Sequence, residues 1–216
     1  SWVLVVALVV AGAFGAQPSS AVLILMVAYA ALMVWVLRAS VRWWSRGRFA
    51  IAIAAPLAFV SASAALLWGG LQVPTVKAMA GFARASEPVT QSVMRLLNGG
   101  VGGALLPWSL ILALAVVGGI VALRSVSGQV LVTSSLGFAV LYFSSTSADR
   151  LLWPLTGIWY KDYLRLSVFV FMALALLAAV GIAWLLGVAE KRLGLGPRGS
   201  LALSAGAVAL IVEVLT

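Results

Sequence analysis

Cysteine and histidine are both absent from the 216-residue sequence. Their absence excludes disulfides, thiol nucleophiles, histidine acid–base catalysis and histidine-bound metals. Charge is also scarce, because only 9% of the residues are charged, and five Asp/Glu stand against fourteen Lys/Arg. Any chemistry must therefore come from a few carboxylates, the basic side chains and neutral polar groups. No cofactor is evident in this composition, although a divalent cation held by carboxylates stays open.

The motifs of nucleotide-binding and nucleic-acid-binding proteins are missing as well. No Walker-type GxxxxGK[ST] occurs, which excludes a P-loop. The stretch "GLGPRG" follows an apolar segment rather than a strand, so it is no dinucleotide-binding turn. The net charge of +9 is spread over separate loops, unlike the continuous basic surface that binds nucleic acid. We therefore predict no nucleic-acid partner.

Apolar residues make up 64% of the sequence and cluster in long runs. In lipid, unpaired backbone groups have no partner, so such runs form helices, and the alternation typical of barrel strands is absent. The fold class predicted is all-α, a polytopic transmembrane helical bundle in the plasma membrane. About seven spans are expected, at 1–16, 21–37, 49–69, 107–123, 129–145, 166–188 and 200–216.

Residues 1–216 are expected to form a single transmembrane domain in contact with membrane lipids. The chain begins at Ser1 rather than at Met, directly in an apolar run. Its first and last apolar runs are short for a bilayer core of about 30 Å. We therefore expect the chain to be a piece of a longer protein.

The basic segment "RASVRWWSRGR" sets the predicted orientation. It forms a short loop at 38–48 that carries Arg38, Arg42, Arg46 and Arg48 and no acid. The positive-inside rule makes this loop cytoplasmic, so that loops 70–106 and 146–165 are extracytoplasmic. The arginines themselves have two interpretations, a general cytoplasmic anchor or a site for anionic lipids.

A short amphipathic helix is predicted inside loop 70–106. Ser86 is a suitable N-cap, Glu87 favours the positive end of a helix, Pro88 is tolerated in the first turn, and "NGG" ends the helix. This helix is expected to lie along the outer membrane surface. Its apolar stripe at helical spacing consists of Val89, Val93, Leu96 and Leu97.

The stretch "STSADRLLWPLTGIWYKDYLR", residues 145–165, gathers charge and aromatic rings in a chain that has little charge elsewhere. One interpretation is an aromatic belt at the membrane interface with snorkelling basic side chains. The other is a binding site for an anionic headgroup. Asp162 and Arg165 are spaced i,i+3 and can form a salt bridge on a helical turn, while Lys161 and Arg150 offer further donors.

Three stretches, "EPVTQSVMRLLNGG", "LLPWSLILALAVVGGIVALR" and "LTGIWYKDYLRL", carry a family resemblance over about residues 86–192. They resemble a poorly characterised actinobacterial family of multi-pass membrane proteins. Its members are similar to the membrane halves of cell-envelope glycosyltransferases of the GT-C fold, which use polyprenyl-phosphate sugars. The family loop commonly reads Thr-Gly-Pro-Trp-Tyr-Asn-Asp-x-x-Arg. It is matched by Thr156, Gly157, Trp159, Tyr160, Asp162 and Arg165, with Ile158 and Lys161 as departures.

The resemblance implies a polyprenyl-phosphate lipid or glycolipid as partner and a lipid-phosphate sugar as donor. No catalytic residue is assigned, because such enzymes usually place an acid in the first outer loop and the first outer loop visible in this sequence, "QPSS", has none. Either the catalytic part lies outside this segment or the protein is not an enzyme. The alternative is a non-catalytic lipid or glycolipid transporter, or a scaffold subunit with other membrane subunits as partners. The predicted substrate-binding residues are Arg150, Trp159, Tyr160, Lys161, Asp162 and Arg165, and no metal ligand is assigned.

Overall fold

The computed structural model describes residues 18–80, 88–97, 105–146 and 163–194. The elements in these ranges are all α-helices, which confirms the predicted class for the part described. Their bounds are α1 Pro18–Ser45, α2 Phe49–Gln72, α3 Pro74–Ala80, α4 Val89–Leu97, α5 Leu105–Ala122, α6 Val126–Thr146 and α7 Tyr163–Leu193.

Five of the seven predicted spans fall within the described ranges, where four helices are long and apolar enough to cross a membrane. The predicted segment 107–123 corresponds to a shorter apolar helix, Trp108–Ala122. The predicted spans 1–16 and 200–216 lie outside the described residues. The four long spans are Ile24–Ser45, Phe49–Gly70, Val126–Ser145 and Leu166–Leu193.

The chain forms two compact units that interleave along the sequence. The first combines 1–89 with 133–166, and the second combines 90–132 with 167–216. Helix α6 therefore contributes its first two turns to the second unit and the remainder to the first. The prediction of one transmembrane domain stays a prediction.

The basic segment 38–48 is mostly helical, which corrects its assignment as a loop. Helix α1 continues through Ser45, and Gly47 then reverses the chain with φ at +72°. The Arg48 N–H donates to the Trp43 carbonyl at 2.9 Å and the Gly47 N–H to the Trp44 carbonyl at 3.0 Å. These two bonds form a Schellman motif. The helix continues further than predicted because basic side chains are favourable near its negative C-terminal end.

Within the first unit, a polar contact joins the middle of α1 to α2. The Tyr29 hydroxyl donates to Ser63 Oγ at 3.2 Å, and Ser63 Oγ donates to the Phe59 carbonyl at 2.7 Å. The Tyr29 ring also stacks on Phe59 with centroids 5.1 Å apart. Hydrogen bonds between helices stabilise packing in lipid, where apolar contacts alone distinguish partners poorly. This contact therefore fixes the register of the α1–α2 hairpin.

A tight turn connects α5 to α6 in the second unit. Ser125 caps α6, because its Oγ accepts the Gly128 N–H at 3.0 Å, and Gln129 Nε2 donates to the Leu123 carbonyl at 2.8 Å. A Cβ atom at Gly128 would lie 2.7 Å from Ala122 Cα, so only glycine fits there. The turn therefore reverses the chain between two adjacent helices.

Helices α5 and α7 approach closely through glycine in the second unit. A Cβ atom at Gly118 would overlap the Leu177 carbonyl oxygen and lie 2.7 Å from the Gly181 backbone nitrogen. Nearer the starts of both helices, the Trp108 and Phe171 rings meet edge to face at 5.1 Å. The earlier residue of α5, Trp108, contacts the earlier residue of α7, Phe171, and the later Gly118 contacts the later Gly181. Helices α5 and α7 therefore run parallel. The buried residues of this core are Ala115, Ala122, Leu177 and Ala178.

The predicted amphipathic helix is present as α4, Val89–Leu97. It begins just after Pro88 rather than including it, and it ends at the residue before "NGG". The cap residues Ser86 and Glu87 lie outside the described residues. Helix α3, Pro74–Ala80, was not predicted in this loop. The position of α4 on the membrane surface stays a prediction.

We predict that Gly118→Ala destabilises the protein by about 1–3 kcal/mol, because the added methyl group forces α5 and α7 apart. Gly119→Ala is the matched control, since a Cβ atom at Gly119 meets nothing within 4 Å. Thermal unfolding in detergent measures both effects. Equal stability of the two variants would contradict the close approach of these helices.

Candidate functional site

The predicted binding residues fall in or next to the segment that joins α6 to α7. Arg165 lies in the first turn of α7, which begins at Tyr163. The salt bridge between Asp162 and Arg165 stays a prediction. The other five predicted residues, which are Arg150, Trp159, Tyr160, Lys161 and Asp162, lie outside the described residues.

The two helix ends that flank segment 147–162 are the most deeply buried places in the described part of the chain. Among the described residues, the largest fully buried side chains are Tyr142, Leu166 and Ser144, and each is at most 1% exposed. Tyr142 and Ser144 occupy the last turns of α6, and Leu166 follows Arg165 in α7. All three belong to the first unit. The predicted binding segment therefore begins and ends at anchored positions.

The serine hydroxyls at this end of α6 are hydrogen-bonded within their own helix. Ser144 Oγ donates to the Val140 carbonyl and Ser145 Oγ to the Tyr142 carbonyl, both at 2.6 Å. Such bonds lower the cost of placing a hydroxyl inside a membrane helix. The donors are thereby used, while the oxygen lone pairs can still accept. These serines are suited to stabilising the helix end and not to donating to a ligand.

One face of α6 is buried along several turns. Ser134, Phe138, Tyr142 and Ser145 recur at helical spacing and are each at most 6% exposed. Leu136 on the other side is 63% exposed. Hydropathy alone does not reveal this face, because apolar residues surround the whole helix. The signal that marks it is the recurrence of hydroxyl-bearing residues at helical spacing in an apolar run.

In the described ranges, no group of three or more His, Cys, Asp or Glu forms a candidate metal site. Glu190 near the end of α7 is the acidic residue that these ranges contain. The remaining acids, Glu87, Asp149, Asp162 and Glu213, lie outside them. A carboxylate-held cation therefore stays open as a prediction.

The described part of the fold defines the class of protein: it is all-helical, with helices of membrane-spanning length and composition. The family described as a family of unknown function (DUF6541) matches it over residues 1–216. The chain belongs to this family. No curated protein and no solved structure matches it. Family membership assigns no activity, so a function has to be argued from the residues.

We predict that Tyr142→Ala destabilises the protein by about 3–5 kcal/mol, the range for removing a buried aromatic ring. Leu136→Ala in the same helix is the control, because Leu136 is 63% exposed and would contact lipid. Denaturant or thermal unfolding in detergent measures the difference. Comparable losses at both positions would show that the α6 face is assigned wrongly.

Proposed function

We propose that this protein is a GT-C-like glycosyltransferase of the actinobacterial cell envelope. It is a multi-pass protein of the plasma membrane with about seven spans. The donor is a polyprenyl-phosphate-linked sugar, and the acceptor is a growing glycan or glycolipid. The observation that carries the proposal is the motif "TGIWYKDYLR" at 156–165, which leads into the first turn of α7.

The proposed binding segment holds the donor by its phosphate and its hydrophobic parts. Arg165, Arg150 and Lys161 meet the phosphate, and Asp162 orients Arg165. Trp159 and Tyr160 stack on the sugar or the isoprenoid chain. Negative charge grows on the leaving phosphate as the glycosidic bond breaks, so a positively charged clamp stabilises the transition state.

The anchored helix ends support this arrangement. Binding sites gain affinity when their residues are held in place before the ligand arrives. Tyr142 and Leu166, which flank the segment, are at most 1% exposed. Arg165 directly precedes Leu166, so its backbone lies beside a buried position.

The orientation of the site depends on whether the short helix α5 crosses the membrane. If α5 did not cross, α6 would return the chain to the side of the α1–α2 turn. The 18 residues of α5 rise about 27 Å, close to the thickness of the hydrocarbon core. Helix α5 also runs parallel to α7, so both begin on one side of a bilayer. These observations support placing loops 70–106 and 146–165 together on the extracytoplasmic side.

A cysteine placed at Ser147 should react with an impermeant maleimide in intact cells, and one at Ser45 should not. The labels are clean because the sequence has no cysteine. Permeabilised cells provide the control, in which both positions should react. Equal labelling of both positions in intact cells would mean that α5 does not cross the membrane. The proposed donor site on the extracytoplasmic side would then be wrong.

A second function, a non-catalytic lipid transporter or scaffold subunit of an envelope complex, is favoured by a different observation. Within residues 1–216 no acidic residue occurs before Glu87, so a carboxylate in an early outer loop of the GT-C type would have to come from outside this segment. Sugar transfer by the full-length protein in liposomes separates the two. Donor binding without transfer would favour the non-catalytic function.

We predict that Arg165→Ala weakens polyprenyl-phosphate binding at least about tenfold, since a hydrogen bond to a charged group contributes about 1.5–3 kcal/mol. Arg165→Lys should rescue poorly because lysine lacks the planar fork. Asp162→Asn should cost less, because it releases the arginine without removing it. Affinity is measured in nanodiscs per folded molecule, and thermal stability is measured in parallel. Lower stability with unchanged affinity would make the pair structural and the site assignment wrong.

A further inference from the structure

The turn between α1 and α2 concentrates positive charge at one end of two candidate spans. Arg42 and Arg46 are four residues apart, and Arg48 follows directly after Gly47. All three arginines are exposed. No acidic residue occurs in the first 86 residues of the sequence, so neither helix of the hairpin supplies a carboxylate partner.

Two hydrogen bonds define the backbone of this turn. The Arg48 N–H donates to the Trp43 carbonyl at 2.9 Å, and the Gly47 N–H donates to the Trp44 carbonyl at 3.0 Å. These are the two bonds of the Schellman motif. The Trp44 and Phe49 rings meet edge to face at 4.8 Å across the turn. The arginines therefore project from a defined backbone, which favours a specific binding geometry over a diffuse positive surface.

The turn combines repulsion between like charges with exposed aromatic surface. Like charges at i,i+4 repel each other, and the negative C-terminal end of α1 offsets only part of this repulsion. Trp44 and Phe49 are 54% and 51% exposed, so apolar rings lie beside the basic groups. A ligand that satisfies both features has a multiply charged polar part and an adjoining apolar part.

The location of the turn identifies the kind of ligand. One candidate span, Ile24–Ser45, ends at this turn, and the next, Phe49–Gly70, begins there. In a bilayer the turn therefore lies at the level of the lipid headgroups. Guanidinium groups match phosphate geometry, and tryptophan prefers the membrane interface.

We propose that the α1–α2 turn, residues 42–49, is a binding site for the phosphate headgroup of an anionic phospholipid. Arg42, Arg46 and Arg48 bind the headgroup, and Trp44 and Phe49 contact the glycerol and the upper acyl chains. The site shares no residue with segment 147–162, and it does not depend on any glycosyltransferase activity. Bound lipid neutralises the arginines and ties the hairpin to an anionic leaflet.

The test counts phospholipids that remain bound to the full chain by native mass spectrometry, with phosphatidylglycerol or phosphatidylcholine added in turn. Wild-type protein should retain phosphatidylglycerol in preference to phosphatidylcholine. The triple variant R42Q/R46Q/R48Q should bind phosphatidylglycerol at least about tenfold more weakly, given the contribution of each basic residue near anionic lipid. The matched triple variant R124Q/K191Q/R192Q removes the same charge from other exposed positions. It should lose clearly less affinity than R42Q/R46Q/R48Q, because its three charges do not come from one turn.

Two further measurements distinguish a specific site from charge alone and from instability. The triple variant R42K/R46K/R48K keeps the charge and should still bind clearly more weakly than wild type, because lysine lacks the fork. In zwitterionic detergent, R42Q/R46Q/R48Q should unfold at the wild-type temperature or higher, because charge repulsion is removed. Added phosphatidylglycerol should raise the unfolding temperature of wild type more than that of this variant.

Three outcomes would overturn the proposal. Equal losses in the two glutamine triple variants would mean that net charge alone attracts the lipid. Full rescue by lysine would mean that the turn is a general electrostatic anchor. Displacement of the lipid by millimolar inorganic phosphate would mean that the site takes a free anion and that the aromatic rings contribute nothing.

Discussion

The need to pair backbone polar groups inside the chain governs this structure. Lipid offers no hydrogen-bond partners, so backbone groups within a span and at its ends must be satisfied locally. The turns show how this is done. The Trp43 and Trp44 carbonyls accept bonds from the α1–α2 turn, and Ser125 caps α6 while Gln129 bonds the Leu123 carbonyl. The turns between paired helices can then be short, because hydrogen bonds within each turn satisfy the backbone groups at the helix ends.

Once the backbone is satisfied, helices in lipid associate mainly through close contact and small residues. The second unit depends on this, since Gly118 and Gly181 let the α5 and α7 backbones meet where any side chain would collide. The contact has a consequence beyond stability. It holds α5, a helix shorter than the four long candidate spans, alongside α7. The parallel course of these two helices is also the reason that the two long loops can be proposed to share one side of the membrane.

Polar side chains are distributed differently at the two proposed binding sites. Near segment 147–162, the serine hydroxyls of α6 bond to their own helix, and Tyr142 is completely buried. This end anchors a segment whose own charged and aromatic residues are proposed to bind the donor. At the α1–α2 turn, the arginines are exposed beside exposed aromatic rings. The end of α6 can therefore support the proposed donor site, and the α1–α2 turn can contact lipid headgroups.

The amino-acid sequence by itself determined the helical class, the approximate place of each described span, and the helix at 89–97. Length and hydropathy are local properties, so these features can be predicted without knowing any contact. It also determined where basic residues concentrate. The candidate binding residues at 150–165 come from a motif in the sequence, and of them Arg165 is placed by the structure, in the first turn of α7.

Only the tertiary structure decided which face of each helix is buried and which helices pair. Lipid is as apolar as leucine, so hydrophobicity does not separate an inward face from an outward one. Phe138 is 6% exposed and Val140 is 56% exposed, although both are apolar and lie two residues apart in α6. The meeting of Gly118 with Gly181 likewise joins residues far apart in sequence, while Gly119 beside it meets nothing. The close contact between the α5 and α7 backbones determines which glycine is buried there, and the apolar pattern of the sequence does not.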